Sequence, residues 1–95
     1  MQGKVIVITG ATSGIGQVAA DRLAGMGARL VLVARDKVRG QAMLARLRER
    51  APGISHSIHY ADLSRLVEMK RVAAEIAAVE SRIDVLINKI GRAHV

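Results

Sequence analysis

Apolar residues fall along the chain in two kinds of run that take turns. Lys4 to Thr9 reads Lys-Val-Ile-Val-Ile-Thr, continuous and β-branched without polar alternation, which predicts a strand buried on both faces of a parallel sheet. A glycine-rich stretch follows, after which Ile15, Val18, Ala19, Leu23 and Met26 recur at helical spacing, with Gly27 placed as a left-handed stop. Arg29 to Ala34 repeats the buried-strand pattern, and Asp36 stands where an N-cap would accept the free amides of a helix carrying Val38, Leu44, Leu47 and Ala51. Pro52 and Gly53 end that helix. Ser55 to Ala61 is a weaker, more polar strand suited to a sheet edge. Ser64 is in place to cap a third helix with Met69, Val72, Ala73, Ile76 and Val79 on its inner face, and Asp84 to Asn88 is a fourth strand.

Strands alternating with helices of this length force parallel pairing through right-handed crossovers, with helices on both sides. The predicted fold class is α/β, a Rossmann-like doubly wound parallel sheet that stops after its fourth strand. The length of 95 residues admits one small core, and no repeat, linker or low-complexity tract marks a boundary before residue 88. Cysteine is absent, which removes disulfides, thiolate metal ligands and thiol catalysis from the possibilities. The apolar run from Val5 to Ile8 is far short of a membrane span, which needs about 20 residues, so no membrane partner is expected and the expected location is the cytoplasm.

Lysine and arginine number 15 against 8 acidic residues, so an anionic partner has to be weighed. The surplus is concentrated: between Arg35 and Arg50 lie six basic residues, Arg35, Lys37, Arg39, Arg46, Arg48 and Arg50, against Asp36 and Glu49. Aromatic residues make up 1% of the chain, leaving no stacking platform for single-stranded nucleic acid, and no recognised nucleic-acid motif is present. Nucleic acid is not an expected partner. For Arg46, Arg48 and Arg50 a solvated helix face is the preferred reading.

Chemistry is concentrated between the first strand and first helix, where Thr9-Gly10-Ala11-Thr12-Ser13-Gly14-Ile15-Gly16 would turn the backbone sharply and bring it close to a pyrophosphate at the helix's positive end. Three glycines between a buried strand and an amphipathic helix are poorly explained as ordinary turn residues. Their spacing, Gly-x-x-x-Gly-x-Gly after a threonine, resembles the motif of the short-chain dehydrogenase/reductase family. It differs from the usual glycine spacing of methyltransferases and flavoproteins, and no Gly-Lys-Ser/Thr follows as in a Walker A loop. Asp62-Leu63 after the third strand resembles the family's Asp-Leu or Asp-Val pair. Asp84-Val85-Leu86-Ile87-Asn88 resembles its fourth strand leading into Asn-Asn-Ala-Gly. The segment from Val33 to Gly40 also resembles retinol-dehydrogenase-like members.

The resemblance implies an NAD(P)-dependent oxidoreductase moving hydride between the cofactor and an alcohol or carbonyl substrate, in a full-length parent that is a homo-oligomer. It implies that Gly10, Thr12, Ser13, Gly14, Ile15 and Gly16 bind the cofactor, that the Asp62 carboxylate accepts a hydrogen bond from the adenine amino group beside Leu63, and that Asn88 is the first asparagine of its motif. Asp62 as a helix-capping carboxylate is the plainer alternative. An acidic residue at the end of the second strand would bind the ribose 2′-hydroxyl of NAD. Here that position is Ala34, and Arg35 follows. In the family an arginine there pairs with the 2′-phosphate, so NADP is the expected cofactor ahead of NAD.

The family's catalytic Tyr-x-x-x-Lys and its serine find no match. Tyr60 is the only tyrosine, and four residues on stands Ser64, so Tyr60 reads as a packing residue and this chain is expected to bind cofactor without activity of its own. His56 and His59, an odd number of positions apart on the expected strand, point to opposite faces and argue against a metal site. After Asn88 the family pattern breaks: Lys89-Ile90-Gly91 stands in place of Asn-Ala-Gly, and residues 90 to 95 spell the translation of a common short-read sequencing adaptor. Residues 1–88 are therefore expected to be the N-terminal half of a dinucleotide-binding domain and 89–95 a non-native tail. An in-frame stop after Val95 in independently sequenced DNA would refute the second half of that statement. A non-catalytic dinucleotide-binding module is the alternative function, excluded if the uninterrupted gene carries Tyr-x-x-x-Lys.

Overall fold

A computed structural model describes residues 2–10 and 14–88, the side chains of Ile15 and Asn88 apart. Thr12, Ser13 and the expected tail at 89–95 lie outside the described residues. Seven elements alternate: β1 (Val5–Thr9), α1 (Gly14–Gly25), β2 (Arg29–Ala34), α2 (Lys37–Arg50), β3 (Ser57–Tyr60), α3 (Leu66–Val79) and β4 (Val85–Asn88). The strands form one sheet in the order β3-β2-β1-β4, and every pairing is parallel. This is the doubly wound sheet that the alternation predicts, with the polar β3 at one edge.

Successive residues of the central strands feed two separate cores. Ile6, Ile8, Leu30 and Leu32 pack with Ala20 and Ala24 of α1 and Met43 and Leu47 of α2. Val7, Val31 and Val33 pack with Val72 and Ile76 of α3 on the opposite face. Both faces being covered, β1 and β2 have no polar position to spare, which is why their sequences run apolar without alternation.

The helices correct several expectations. Val18 and Met26 of the α1 region are each 56% exposed, and Val38 is 81% exposed. On α3, Met69 and Val79 are exposed and Ala73 faces solvent, leaving Val72 and Ile76 as its buried residues. Leu44 and Leu47 of α2 are buried as expected, and they are joined on the inner faces of α1 and α2 by residues the spacing does not predict: Ala20, Ala24, Gly40 and Met43. Small residues among them let the helix axes approach the sheet closely. Gly40 shows this directly: a Cβ there would lie 2.8 Å from both Ile58 Cδ1 and Tyr60 Cε1.

Element ends follow the sequence signals more closely. Asp36 caps α2 as expected, its Oδ1 accepting from Val38 N at 2.9 Å and Arg39 N at 3.2 Å. Gly27 adopts φ 93° after α1, a left-handed conformation that costs glycine little. Ser64, however, does not cap α3. Arg65 occupies the N-cap without a side-chain bond, because the Ser64 hydroxyl donates back to Asp62 Oδ1 at 2.6 Å.

At the base of the sheet, where the strands begin, two side chains carry the ladders past the last paired backbone. His56 Nδ1 accepts from Leu30 N at 3.0 Å, and Asp84 Oδ2 accepts from Val5 N at 2.8 Å.

Candidate dinucleotide site

The opposite end of the sheet gathers those sequence-predicted site residues that are described: Gly10, Gly14, Gly16, Arg35, Asp62, Leu63 and the end of β4 at Asn88. β1 ends at Thr9, and Gly10 then takes φ 71° while its N–H donates to Val33 O at 3.4 Å. That left-handed turn moves the chain out of the sheet and toward α1, which begins at Gly14. Gly16 is buried within the first turn of α1, and this turn contains no acidic residue. The positive end of the helix dipole is thus left for an outside anion rather than neutralised by a side chain of its own.

One strand away, β2 ends in buried Ala34 and exposed Arg35. The next carboxylate, Asp36, spends Oδ1 on the two α2 amides and holds Oδ2 4.0 Å from Arg39 Nε. Beside it, Tyr60 closes β3 opposite Ala34. Its hydroxyl accepts from Gln41 Nε2 at 2.6 Å, its ring lies against Gly40, and the Lys37 ammonium sits 5.7 Å from its centroid. Tyr60 is therefore a packing side chain with a polar tip, held under α2.

Asp62 is half-buried just past β3. Its Oδ1 takes Ser64 N at 3.1 Å and Ser64 Oγ at 2.6 Å, and no described residue hydrogen-bonds Oδ2. The two Ser64 bonds, chiefly the one from the hydroxyl, hold its pKa below the ordinary carboxylate value, with smaller help from the charges of Arg35 and Arg65. Asp62 thus braces its own turn and keeps an ionised oxygen for a donor, so capping and ligand-binding are compatible roles. Leu63 is half-buried against the α3 core. Asn88 ends β4 opposite Thr9.

The groups present suit a dinucleotide. A dipole-positive helix end, an exposed arginine one strand away and an ionised carboxylate one strand further stand along one sheet end, in the order in which such a ligand presents pyrophosphate, ribose and base.

The basic window of α2 is mostly what the charge-run reading expects, with one addition. Arg46 and Arg50 are exposed, yet their Nε atoms each lie 3.8 Å from the Asp21 carboxylate of α1. The two histidines serve different layers: His56 is buried beside Arg48 of α2, and His59 Nδ1 lies 3.1 Å from Glu75 of α3. Among the described residues no group of three potential metal ligands converges, and no helix is long and apolar enough to cross a membrane.

A family model described as short chain dehydrogenase matches residues 4–95. The chain belongs to that family. Over 91 residues it is 40% identical to 1,6-dihydroxycyclohexa-2,4-diene-1-carboxylate dehydrogenase of Pseudomonas putida, covering 95% of this chain and 32% of that protein. It is 34% identical to human retinol dehydrogenase 14, covering 96% and 31%. Among solved structures, a short-chain dehydrogenase from Sphingobium yanoikuyae in complex with NADPH superposes with TM-score 0.83 at 44% identity, over 96% of this chain and 35% of that one. The chain spans about a third of the length of these relatives. As a short-chain dehydrogenase chain, it carries Gly10, Gly14 and Gly16 between the end of β1 and the first turn of α1, and sets β4 beside β1.

Two members of the α3 surface had no part in the sequence reading of the site. Glu68 and Arg71 reach the turn that carries Asp62. Only their spacing of three, suited to an ion pair along one helix face, hinted at a joint role.

Proposed function

We propose that this chain is the cofactor-binding part of an NADP(H)-dependent oxidoreductase whose complete form transfers hydride between NADP(H) and an alcohol or carbonyl substrate as a homo-oligomer. The nicotinamide supplies the hydride chemistry when bound; the residues of this chain bind and orient the adenosine half. In this reading the turn from Gly10 through Thr12, Ser13, Gly14, Ile15 and Gly16 takes the pyrophosphate, Arg35 pairs with the 2′-phosphate, and Asp62 accepts from the adenine amino group. Leu63 and Asn88 flank the cofactor at the ends of β3 and β4.

The observation that carries the choice of NADP is the end of β2. Ala34 is buried where an acidic residue would bind a ribose diol, Arg35 beside it is exposed, and the adjacent Asp36 is engaged at the N-terminus of α2. A 2′-phosphate meets a guanidinium at the end of β2, where the one neighbouring carboxylate in sequence, Asp36, is already engaged by the α2 amides. The Sphingobium yanoikuyae relative, solved with NADPH, supports the same choice, and the retinol dehydrogenase relative supports an alcohol/carbonyl pair.

Calorimetric titration with NADPH and NADH tests the reading. NADPH is expected to bind more tightly, and Arg35→Ala to weaken NADPH by roughly 10- to 100-fold, the worth of a charge-assisted bidentate contact, while leaving NADH unchanged. Ala34→Asp reverses the preference. Equal affinity of the unsubstituted chain for both cofactors would sink the proposal.

A further inference from the structure

The turn that presents Asp62 is held from outside by one face of α3. Arg71 Nη2 donates to the backbone oxygen of Tyr60 at 2.7 Å. Because Ala61 N donates across to Ala34 O in β2, the Tyr60 carbonyl points the other way, to the outer side of β3, where no strand among the described residues would otherwise satisfy it. The same guanidinium binds Glu68, with Nη2 2.9 Å from Oε1, and pairs through Nη1 with Glu75. Glu68 Oε1 in turn faces Asp62 N at 3.5 Å, and Glu75 Oε1 lies 3.1 Å from His59 Nδ1. Residues 59, 60 and 62 are thus each tied to α3, with Arg71 at the centre of the set.

Surface ion pairs in isolation contribute little, and this cluster is half-exposed, so stability alone is a weak reason for it. Its geometry is more informative. Glu68, Arg71 and Glu75 occupy one face of α3 at spacings of three and four, and what they grip is the backbone of the segment bearing a proposed ligand-binding carboxylate. The planar fork of an arginine suits this because it serves two carboxylates and a carbonyl at once, which a lysine ammonium does with far less directional definition. A carboxylate must be fixed to within a fraction of an ångström to discriminate an amino group from a carbonyl on a base.

We propose that Glu68 and Arg71 are positioning residues for base recognition: through the backbone of Tyr60 and Asp62 they fix the Asp62 carboxylate where it selects adenine. This inference rests on the assignment of Asp62 to the adenine amino group.

The test is a ratio. Adenosine 2′,5′-bisphosphate and inosine 2′,5′-bisphosphate differ at the purine 6-position, an amino group against a carbonyl. Their affinities for the full chain are measured by calorimetry on the same protein sample. Both ligands see the same folded fraction, so partial unfolding of a variant lowers both signals and leaves the ratio alone. The unsubstituted chain is expected to prefer the adenosine ligand by about tenfold or more. Asp62→Asn abolishes that preference, Arg71→Ala and Glu68→Ala each cut it severalfold, Glu68→Gln retains most of it because the amide oxygen still accepts from Asp62 N, and Lys70→Ala leaves it unchanged. If Asp62→Asn removes the preference while Arg71→Ala and Glu68→Ala keep the full ratio, the positioning role is overturned and the adenine assignment stands. If Asp62→Asn keeps the ratio, the assignment itself fails and the inference falls with it.

Discussion

His56 places a strict demand on its protonation state. Accepting Leu30 N–H at Nδ1 requires the neutral tautomer with its proton on Nε2, a buried atom without a partner among the described residues. A second proton would go to Nδ1 and set two donors against each other. Burial is the main reason its pKa lies below the ordinary 6.5, with Arg29 of β2 and Arg48 of α2 adding repulsion; Glu80, 2.5 Å from Arg29 at the end of α3, partly offsets the former. The unfolded chain therefore binds the proton more readily than the folded one, so His56 contributes stability that is fully present above 6.5 and lost as pH falls through its lowered value. Urea midpoints are expected to fall between about pH 7.5 and about pH 5, and His56→Gln, which keeps an acceptor but no titration, to flatten that slope. His56→Ala strands the Leu30 amide and costs about 1–3 kcal/mol. Asp84 adds a second, more acidic step. Its carboxylate is stabilised first by Val5 N–H and then by Arg82 and Lys4, so its share persists above 3.8 and disappears as pH falls through its depressed value. Gly40 is the other residue with a sharp requirement. Alanine normally favours a helix interior by about 1 kcal/mol over glycine, but here the new methyl meets Tyr60, whose ring is fixed by Gln41 and cannot yield freely. Gly40→Ala is expected to lower stability by about 1 kcal/mol or more in urea unfolding, and a stabilised variant would show that the ring moves aside.

At the scale of elements, strands were more legible than helices. β1 and β2 are read directly from unbroken apolar runs because both sheet faces are covered, and β3 from its polarity because it forms an edge. Helix faces are legible in part: Leu44, Leu47, Val72 and Ile76 are buried as their spacing predicts, but α1 meets the sheet through Ala20 and Ala24, and α2 also through Gly40 beside Met43, positions that a stripe of large apolar side chains does not mark. Val18→Lys and Val38→Lys, both at exposed positions, are accordingly expected to change stability by less than about 0.5 kcal/mol. Ala24→Leu, at a site 1% exposed, is expected to cost about 1–3 kcal/mol by overpacking. Denaturant midpoints for the three variants, falling in that order, check the assigned faces. The candidate site divides in the same way. The left-handed backbone at Gly10 and the Asp36 cap are legible because each depends on its immediate neighbours. The tie between Arg71 and the Tyr60 carbonyl was not, because it joins a helix to a strand 11 positions away. Ser64 was misassigned because its hydroxyl had two acceptable uses and the sequence does not rank them: it braces Asp62, and α3 starts without a side-chain cap.

At the scale of the whole molecule, the two borders of the sheet differ. β3 presents Ser57 and His59, and Arg71 blocks one of its outward carbonyls, so that border resists pairing with another chain. β4 is paired only with β1 among the described residues, and Leu86 stands 65% exposed opposite Val7, on the face that α3 covers elsewhere. Self-association is expected to proceed through β4. Leu86→Lys should raise the soluble fraction and lower light scattering at equal concentration, whereas an unsubstituted chain that stays monodisperse as its concentration rises would contradict this.

The strand order also has a kinetic consequence. β1 lies between β2, which follows it after one helix, and β4, whose Asp84 reaches Val5 across 79 positions. Closing so long a loop is slow compared with forming the β1–α1–β2 unit. The central strand thus precedes both of its neighbours along the chain and acquires β4 only after β2. Until β4 arrives, one whole row of its amides and carbonyls is open to any other extended segment, which makes that interval a second opening for misassembly beside the exposed border of the finished sheet.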